Sequence, residues 1–159
     1  ITHLGAPGAG KGSLCKKLAE NYHYHHLSVG DLLREQCRLK RLRPEATQAI
    51  GSNVLIDVED LIPILRGEVE RLELEGKKNI VIDGVPRVLE QAGPIRSPDL
   101  VFLFNCPEKI ARQRFMTRNI PGQVDDRGTF DQRYCYYIAE NARIIEYYRR
   151  RGVLVEVDG

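Results

Sequence analysis

The residues that could do chemistry begin at Gly5-Ala6-Pro7-Gly8-Ala9-Gly10-Lys11-Gly12-Ser13. This run joins a short apolar stretch, 1–4, to a helical pattern over 14–21. Strand, glycine turn and helix in that order make an anion site. Successive backbone N–H groups turn inward on one anion, and the helix N-terminus adds its positive dipole end. Glycines let a phosphate approach closely and accept positive φ. Lys11 supplies a mobile point charge for outer phosphates, and Ser13 a hydroxyl for Mg²⁺. The strict phosphate-loop pattern places the hydroxyl directly after the lysine, whereas here Gly12 intervenes.

Two further stretches carry candidates. Ser28-Val29-Gly30-Asp31-Leu32-Leu33-Arg34 reads as a strand end, a turn and a helix start, with Ser28 or Asp31 as its cap. Arg34 then stands on an early helical turn, within reach of an anion. Asp83-Gly84-Val85-Pro86-Arg87 closes the apolar run Ile80-Val81-Ile82. A carboxylate ending a central strand beside a phosphate loop can hold Mg²⁺ directly or through water. Arg87 projects over the same place. Arg112, Arg114 and Arg118 share one helical segment, Arg133 lies on the next, and residues 119–128 have the polar composition of a flap. The run His23-Tyr24-His25-His26 has no acidic residue or cysteine beside it, so it reads as a surface loop or strand entry rather than a metal site.

The elements that must position these groups alternate along the chain. Helical periodicity after the glycine loop rests on Leu14, Leu18 and Ala19. Pro44-Glu45 opens a second helix of the basic stretch 35–50, and Gly51-Ser52-Asn53 ends it. Residues 58–75 form an amphipathic helix with Leu61, Leu65, Val69 and Leu72 on one face, interrupted at Pro63. Strands are expected at 79–83, 100–104 and 153–157, and a long helix at 129–151. This order gives a parallel sheet with helices on both faces, an α/β three-layer sandwich. Ligands in such folds bind beyond the carboxyl ends of the strands, where both the glycine loop and Asp83 fall.

The 159 residues suffice for one domain with its own core. A net charge of +2 implies no polyanionic partner, and the basic stretch lacks interleaved aromatics, so nucleic acid is not expected as a partner. No apolar run reaches membrane-spanning length. Four scattered cysteines, without a C-x-x-C pair, argue against a disulfide framework or structural zinc and fit a reducing, cytoplasmic setting. The chain opens at Ile1 rather than Met, so preceding residues, an organellar targeting segment among them, remain compatible with it.

Taken together the motifs resemble the nucleoside monophosphate kinase family of the short-lid kind, most similar to adenylate kinases and then to UMP/CMP kinases. The G-x-P-G-x-G-K-G-[ST] loop, the S-x-G-D-L-L-R and D-G-x-P-R segments, Gln91 downstream and the V-D-D at Val124-Asp125-Asp126 carry it. The resemblance covers nearly the whole chain. It implies a P-loop containing nucleoside triphosphate hydrolase type of fold, one domain over 1–159, a monophosphate-binding insert about 28–57 and a lid about 118–128. It implies transfer of the γ-phosphoryl group of ATP to a nucleoside monophosphate with Mg²⁺, usually by a monomer. Carried over by position, Gly8, Ala9, Gly10, Lys11, Gly12 and Ser13 would wrap the ATP phosphates, and Arg114 would lie against the ATP base. Arg34 and Arg87 would grip the acceptor phosphate, while Val29, Ile56, Gly84 and Gln91 line its pocket. Lys11, Arg87, Arg118 and Arg133 would stabilise the transferring group, with Arg118 also on the ATP side and Arg133 also on the acceptor side. Ser13 and Asp83 would hold the metal, and Asp125 and Asp126 would close the lid on basic partners.

Departures from the family pattern bear on activity and base choice. Gln123 stands where an arginine usually precedes V-D-D, which removes one phosphate-gripping charge unless Arg127 replaces it. A binding module with weakened or lost catalysis is therefore one alternative reading. Val29 replaces the threonine typical of adenylate kinases and the alanine of UMP/CMP kinases, whereas Gln91 matches the adenine-reading residue. A side-chain amide can read adenine directly, which favours AMP, with UMP or CMP as the alternative. The connection 92–98 is shorter than usual, and the chain stops at Gly159 before the family's last helix.

Overall fold

The computed structural model describes residues 1–94, 97–118, 120 and 125–158. Five strands, β1 (Thr2–Gly5), β2 (His25–Ser28), β3 (Ile80–Asp83), β4 (Val101–Asn105) and β5 (Leu154–Asp158), form one sheet in the order β2-β3-β1-β4-β5. Every pairing is parallel. The expected α/β layering is therefore present. The register pairs Ser28 with Asp83, Thr2 with Ile82 and Gly5 with Phe104, so the parallel strands present their carboxyl ends along one edge of the sheet.

The helices are α1 (Lys11–Tyr22), α2 (Val29–Arg38), α3 (Pro44–Gly51), α4 (Val58–Leu74), α5 (Leu89–Ala92), α6 (Glu108–Thr117) and α7 (Arg127–Arg150). Ser28 caps α2, its Oγ accepting from the Asp31 N–H at 3.3 Å. Pro44 starts α3 from its first turn, as its fixed φ allows. Pro63 does not interrupt α4, contrary to the sequence reading. The helix gives up one backbone bond there, and the buried Leu61, Leu65 and Leu72 hold it on the sheet.

Three apolar clusters fill the layers. Leu27, Val29, Ile56, Leu61 and Val85 pack beneath the α2–α4 segment. Leu4, Val101, Leu103, Ile144 and Tyr148 join α7 to one sheet face. Ala6, Ala9, Phe104, Ala111, Phe115 and Phe130 pack the glycine loop against α6 and α7. Among the described residues no helix is long and apolar enough to cross a membrane.

Candidate active site

The glycine loop leaves β1 and enters α1 through Gly10, which takes the left-handed conformation at the helix N-cap. Gly8 has φ +83°, and a Cβ there would lie 2.0 Å from the Ala111 carbonyl oxygen. Only glycine lets the loop sit directly on the α6 backbone. Lys11 is half-buried, and its Nζ donates to the carbonyls of Gly5 and Ala6, each at 2.7 Å. Burial lowers its ammonium to about 8, against the attraction of Asp83.

Gly12 has a geometric reason. A Cβ on it would stand 3.3 Å from Asp83 Oδ2, so the extra glycine lets the carboxylate lie against the first turn of α1. Burial works against ionisation of Asp83, but the His26 ring, Lys11 and His3 outweigh it and hold the carboxyl below its usual range. An ionised carboxylate, with the exposed Ser13 next in sequence to Gly12, suits Mg²⁺. That ion takes one or two protein oxygens and fills its octahedron with phosphate and water.

A cavity of about 270 Å³ opens among α2, α3 and the turn after β3, and Arg87 on its wall is near enough to Lys11 for its charge to act on the ammonium. Its lining includes Val29, Arg34, Ile56, Gly84, Arg87, Gln91 and Arg133, the seven residues that the sequence assigned to a monophosphate pocket. Arg87 Nε donates to the Gly84 carbonyl at 3.0 Å, and its backbone N–H donates to Gln91 Oε1 at 2.7 Å. Gln91 is almost wholly buried, so that bond fixes its amide and leaves the NH₂ donors for another partner. Arg34 is paired with Asp31 one turn back on α2.

Arg133 reaches the cavity from α7, its Nη2 donating to Asn53 Oδ1 at 2.6 Å. Removal from water brings its guanidinium down to about 10, and the like charges of Arg87, Arg118 and Arg34 add to the fall. Four cations thus crowd one place. Arg118, at the end of α6, lies 4.0 Å over the Phe115 ring and donates from Nε to Asp125 Oδ2 at 2.7 Å.

The two lid aspartates do different things. Asp125 takes a basic partner, Arg118, as expected. For Asp126 the described residues show a cap instead: its Oδ1 accepts from the Thr129 N–H at 2.7 Å at the start of α7, which begins at Arg127. An aspartate ahead of a helix satisfies free N–H groups in this way. Arg114 is exposed near Cys106, its Nη1 3.9 Å from Sγ, and does not line the cavity. Gln123 and Val124 lie outside the described residues, as do 95 and 96 of the shortened connection.

Some groups at the site carry no sequence signal. Asn53 read only as a helix breaker, yet at φ +56° it positions Arg133. Phe115 is fully buried in the core, and its ring also supports Arg118. A larger cavity, about 1120 Å³, opens at the other end of the sheet between Ile1, Val69, Ile80 and Leu100, and neither the glycine loop nor Arg34, Arg87 or Arg133 borders it.

Residues 3–153 match the family model described as adenylate kinase. UMP-CMP kinase 2 of Oryza sativa subsp. japonica is 32% identical over 162 residues, covering 98% of this chain and 65% of its own length. Adenylate kinase isoenzyme 1 of Caenorhabditis elegans is 30% identical, over 98% of this chain and 77% of its own. Uridylate kinase of Saccharomyces cerevisiae is 33% identical, over 97% and 79%. The chain therefore spans less than two thirds of the rice protein's length.

Proposed function

The chain belongs to the adenylate kinase family, and from that premise we propose that it moves the γ-phosphoryl group of ATP to a nucleoside monophosphate, AMP in the first reading. The observation that carries this is the meeting of Arg34, Arg87 and Arg133 on one cavity beside Lys11 and its glycine loop. Phosphoryl transfer asks a protein for alignment and for charge opposite the equatorial oxygens, with little covalent chemistry.

Gly8 to Ser13 hold the donor phosphates through backbone N–H groups, and Lys11 swings from the Gly5 and Ala6 carbonyls onto the outer ones. Arg114 lies against the ATP base. Arg34 and Arg87 grip the acceptor phosphate through guanidinium forks that match its oxygens. Arg118 and Arg133 face the group in transit. Ser13 and Asp83 would hold Mg²⁺, whose chemistry there would be to offset phosphate charge. Closure of the lid inferred from the sequence, about 118–128, would keep water from competing as acceptor.

Gln91 supports AMP, since its NH₂ can donate to a ring nitrogen of adenine. The engaged Oε1 favours a second reading, UMP or CMP, because a bidentate adenine contact needs that oxygen as well. The names of the rice and yeast relatives point the same way. A coupled assay with ATP, Mg²⁺ and each of AMP, CMP, UMP and GMP tests both. Turnover fastest with AMP supports the first reading, and a pyrimidine preference replaces it with the second. ATP binding without turnover on any acceptor leaves only a nucleotide-binding module.

A further inference from the structure

His3, Cys15, His26 and Asp83 come from four separate elements, β1, α1, β2 and β3, and meet on the sheet face that α1 covers. In sequence His26 has neither a cysteine nor an acid nearby, and the fold supplies both. The ligand atoms of Cys15, His26 and Asp83 lie within 4.8 Å of one another. Cys15 Sγ is 3.5 Å from His3 Nδ1, and His26 Nε2 is 3.8 Å from Asp83 Oδ2. His26 Nε2 is buried from solvent and has no hydrogen-bond partner among the described residues. A buried ring nitrogen of this kind ordinarily finds one.

We propose that these four side chains form a binding site for one thiophilic divalent cation of the Zn²⁺ or Co²⁺ class, behind the phosphate loop. One sulfur, two imidazoles and one carboxylate are a four-ligand set of the type that zinc takes in tetrahedral sites. Bond lengths of about 2.0–2.3 Å imply ligand atoms about 3.3–3.8 Å apart, so Cys15, His26 and Asp83 need to draw together by about 1–1.5 Å at most, with His3 joining them from beside Cys15 Sγ. Nitrogen and sulfur donors disfavour Mg²⁺ and Ca²⁺, which prefer all-oxygen shells. Burial holds the His3 ring down at about 4, which keeps a lone pair free at neutral pH. Burial also pushes the Cys15 thiol up to about 12, so binding must release its proton to the buffer, one per ion. Because Asp83 is shared, the bound ion would also oppose Mg²⁺ at the proposed kinase site.

The test is spectroscopic and stands apart from kinase activity. The chain carrying Cys37→Ala, Cys106→Ala and Cys135→Ala is titrated with Co²⁺ in a non-thiol reductant. One equivalent should produce a thiolate-to-cobalt charge-transfer band together with the visible bands of a tetrahedral ion, and Zn²⁺ should displace it. Cys15→Ala should abolish the charge-transfer band. His3→Phe, which keeps a ring on Phe102, should retain the band and weaken affinity at least about tenfold. If Cys15→Ala fails to fold, His3→Phe and His26→Asn decide by affinity alone. A band that survives Cys15→Ala overturns the site. So does an octahedral spectrum only, or an affinity indifferent to both histidines.

Discussion

Replacing Arg133 with methionine should make the protein more stable and less able to hold a phosphate. The Arg133 guanidinium falls from its ordinary value to about 10, first through burial and then through Arg87, Arg118 and Arg34. Such a fall corresponds to roughly 3 kcal/mol against the charged form in the folded state, and solvent screening of this partly exposed group cuts it to about 2 kcal/mol. For a cation lowered in this way the cost is present below the folded value of about 10 and fades only as pH rises from there toward the ordinary arginine value, so it operates at neutral pH. Methionine removes the charge and keeps a flexible apolar stem near Phe115, whose ring lies 5.7 Å from the guanidinium carbon. The lost bond to Asn53 offsets about 1.5 kcal/mol, leaving a net gain of about 0.5 kcal/mol. Urea unfolding of the two proteins measures it: the midpoint should rise with the slope unchanged. Stabilisation by added inorganic phosphate should shrink in the same variant. A midpoint that falls by a kcal/mol or more would refute the reasoning, because Arg133 would then act as an ordinary packing residue.

Lys11→Met should reduce phosphoryl transfer by orders of magnitude while the urea midpoint holds or rises, since a half-buried ammonium is removed. In the unsubstituted protein, ATP affinity should weaken as pH climbs past about 8, by up to tenfold per pH unit, because the Lys11 ammonium must be restored for binding; a flat profile to pH 10 contradicts this. Gly8→Ala should unfold the loop or displace α6, since its Cβ would meet the Ala111 carbonyl at 2.0 Å in addition to the αL strain of about 1–2 kcal/mol. Soluble protein with an unchanged urea midpoint would discard that geometry. Asp126→Ala should lower the midpoint by removing the cap of α7. Hydrogen bonds from Thr129 hold the Asp126 carboxyl below its usual range, so its contribution is present above about pH 4 and lost as pH falls further. The variant and parent midpoints should therefore converge in acid.

The parallel sheet was legible because its strands are short apolar runs separated by helical patterns, with glycine and proline marking the turns. The phosphate loop and Asp83 were legible for a local reason: each ends a strand, and parallel strands bring their carboxyl ends together. The cavity lining followed from matched motifs rather than from periodicity, which cannot place Ile56 or Gln91 beside Arg34. Asn53 stayed hidden because its partner is 80 residues away. The His26 cluster stayed hidden for the same reason, since adjacency along the chain says nothing about neighbours across a sheet. The cap that Asp126 provides was not legible, because two adjacent carboxylates suggest ion pairs and the start of α7 at Arg127 was not foreseen.

A single titration bears most directly on the central claim, that the glycine loop and the guanidinium cluster hold two nucleotides with their phosphates facing. The ligand joins adenosine to the nucleoside of the preferred acceptor, 5′ to 5′, through five phosphates. Calorimetry should find one molecule per chain, bound at least about a hundredfold more tightly than ATP because two sites are engaged at once. That advantage should vanish in Arg133→Met. Affinity no better than that of ATP, or unchanged by the substitution, would mean that the loop and the arginines do not share a cleft.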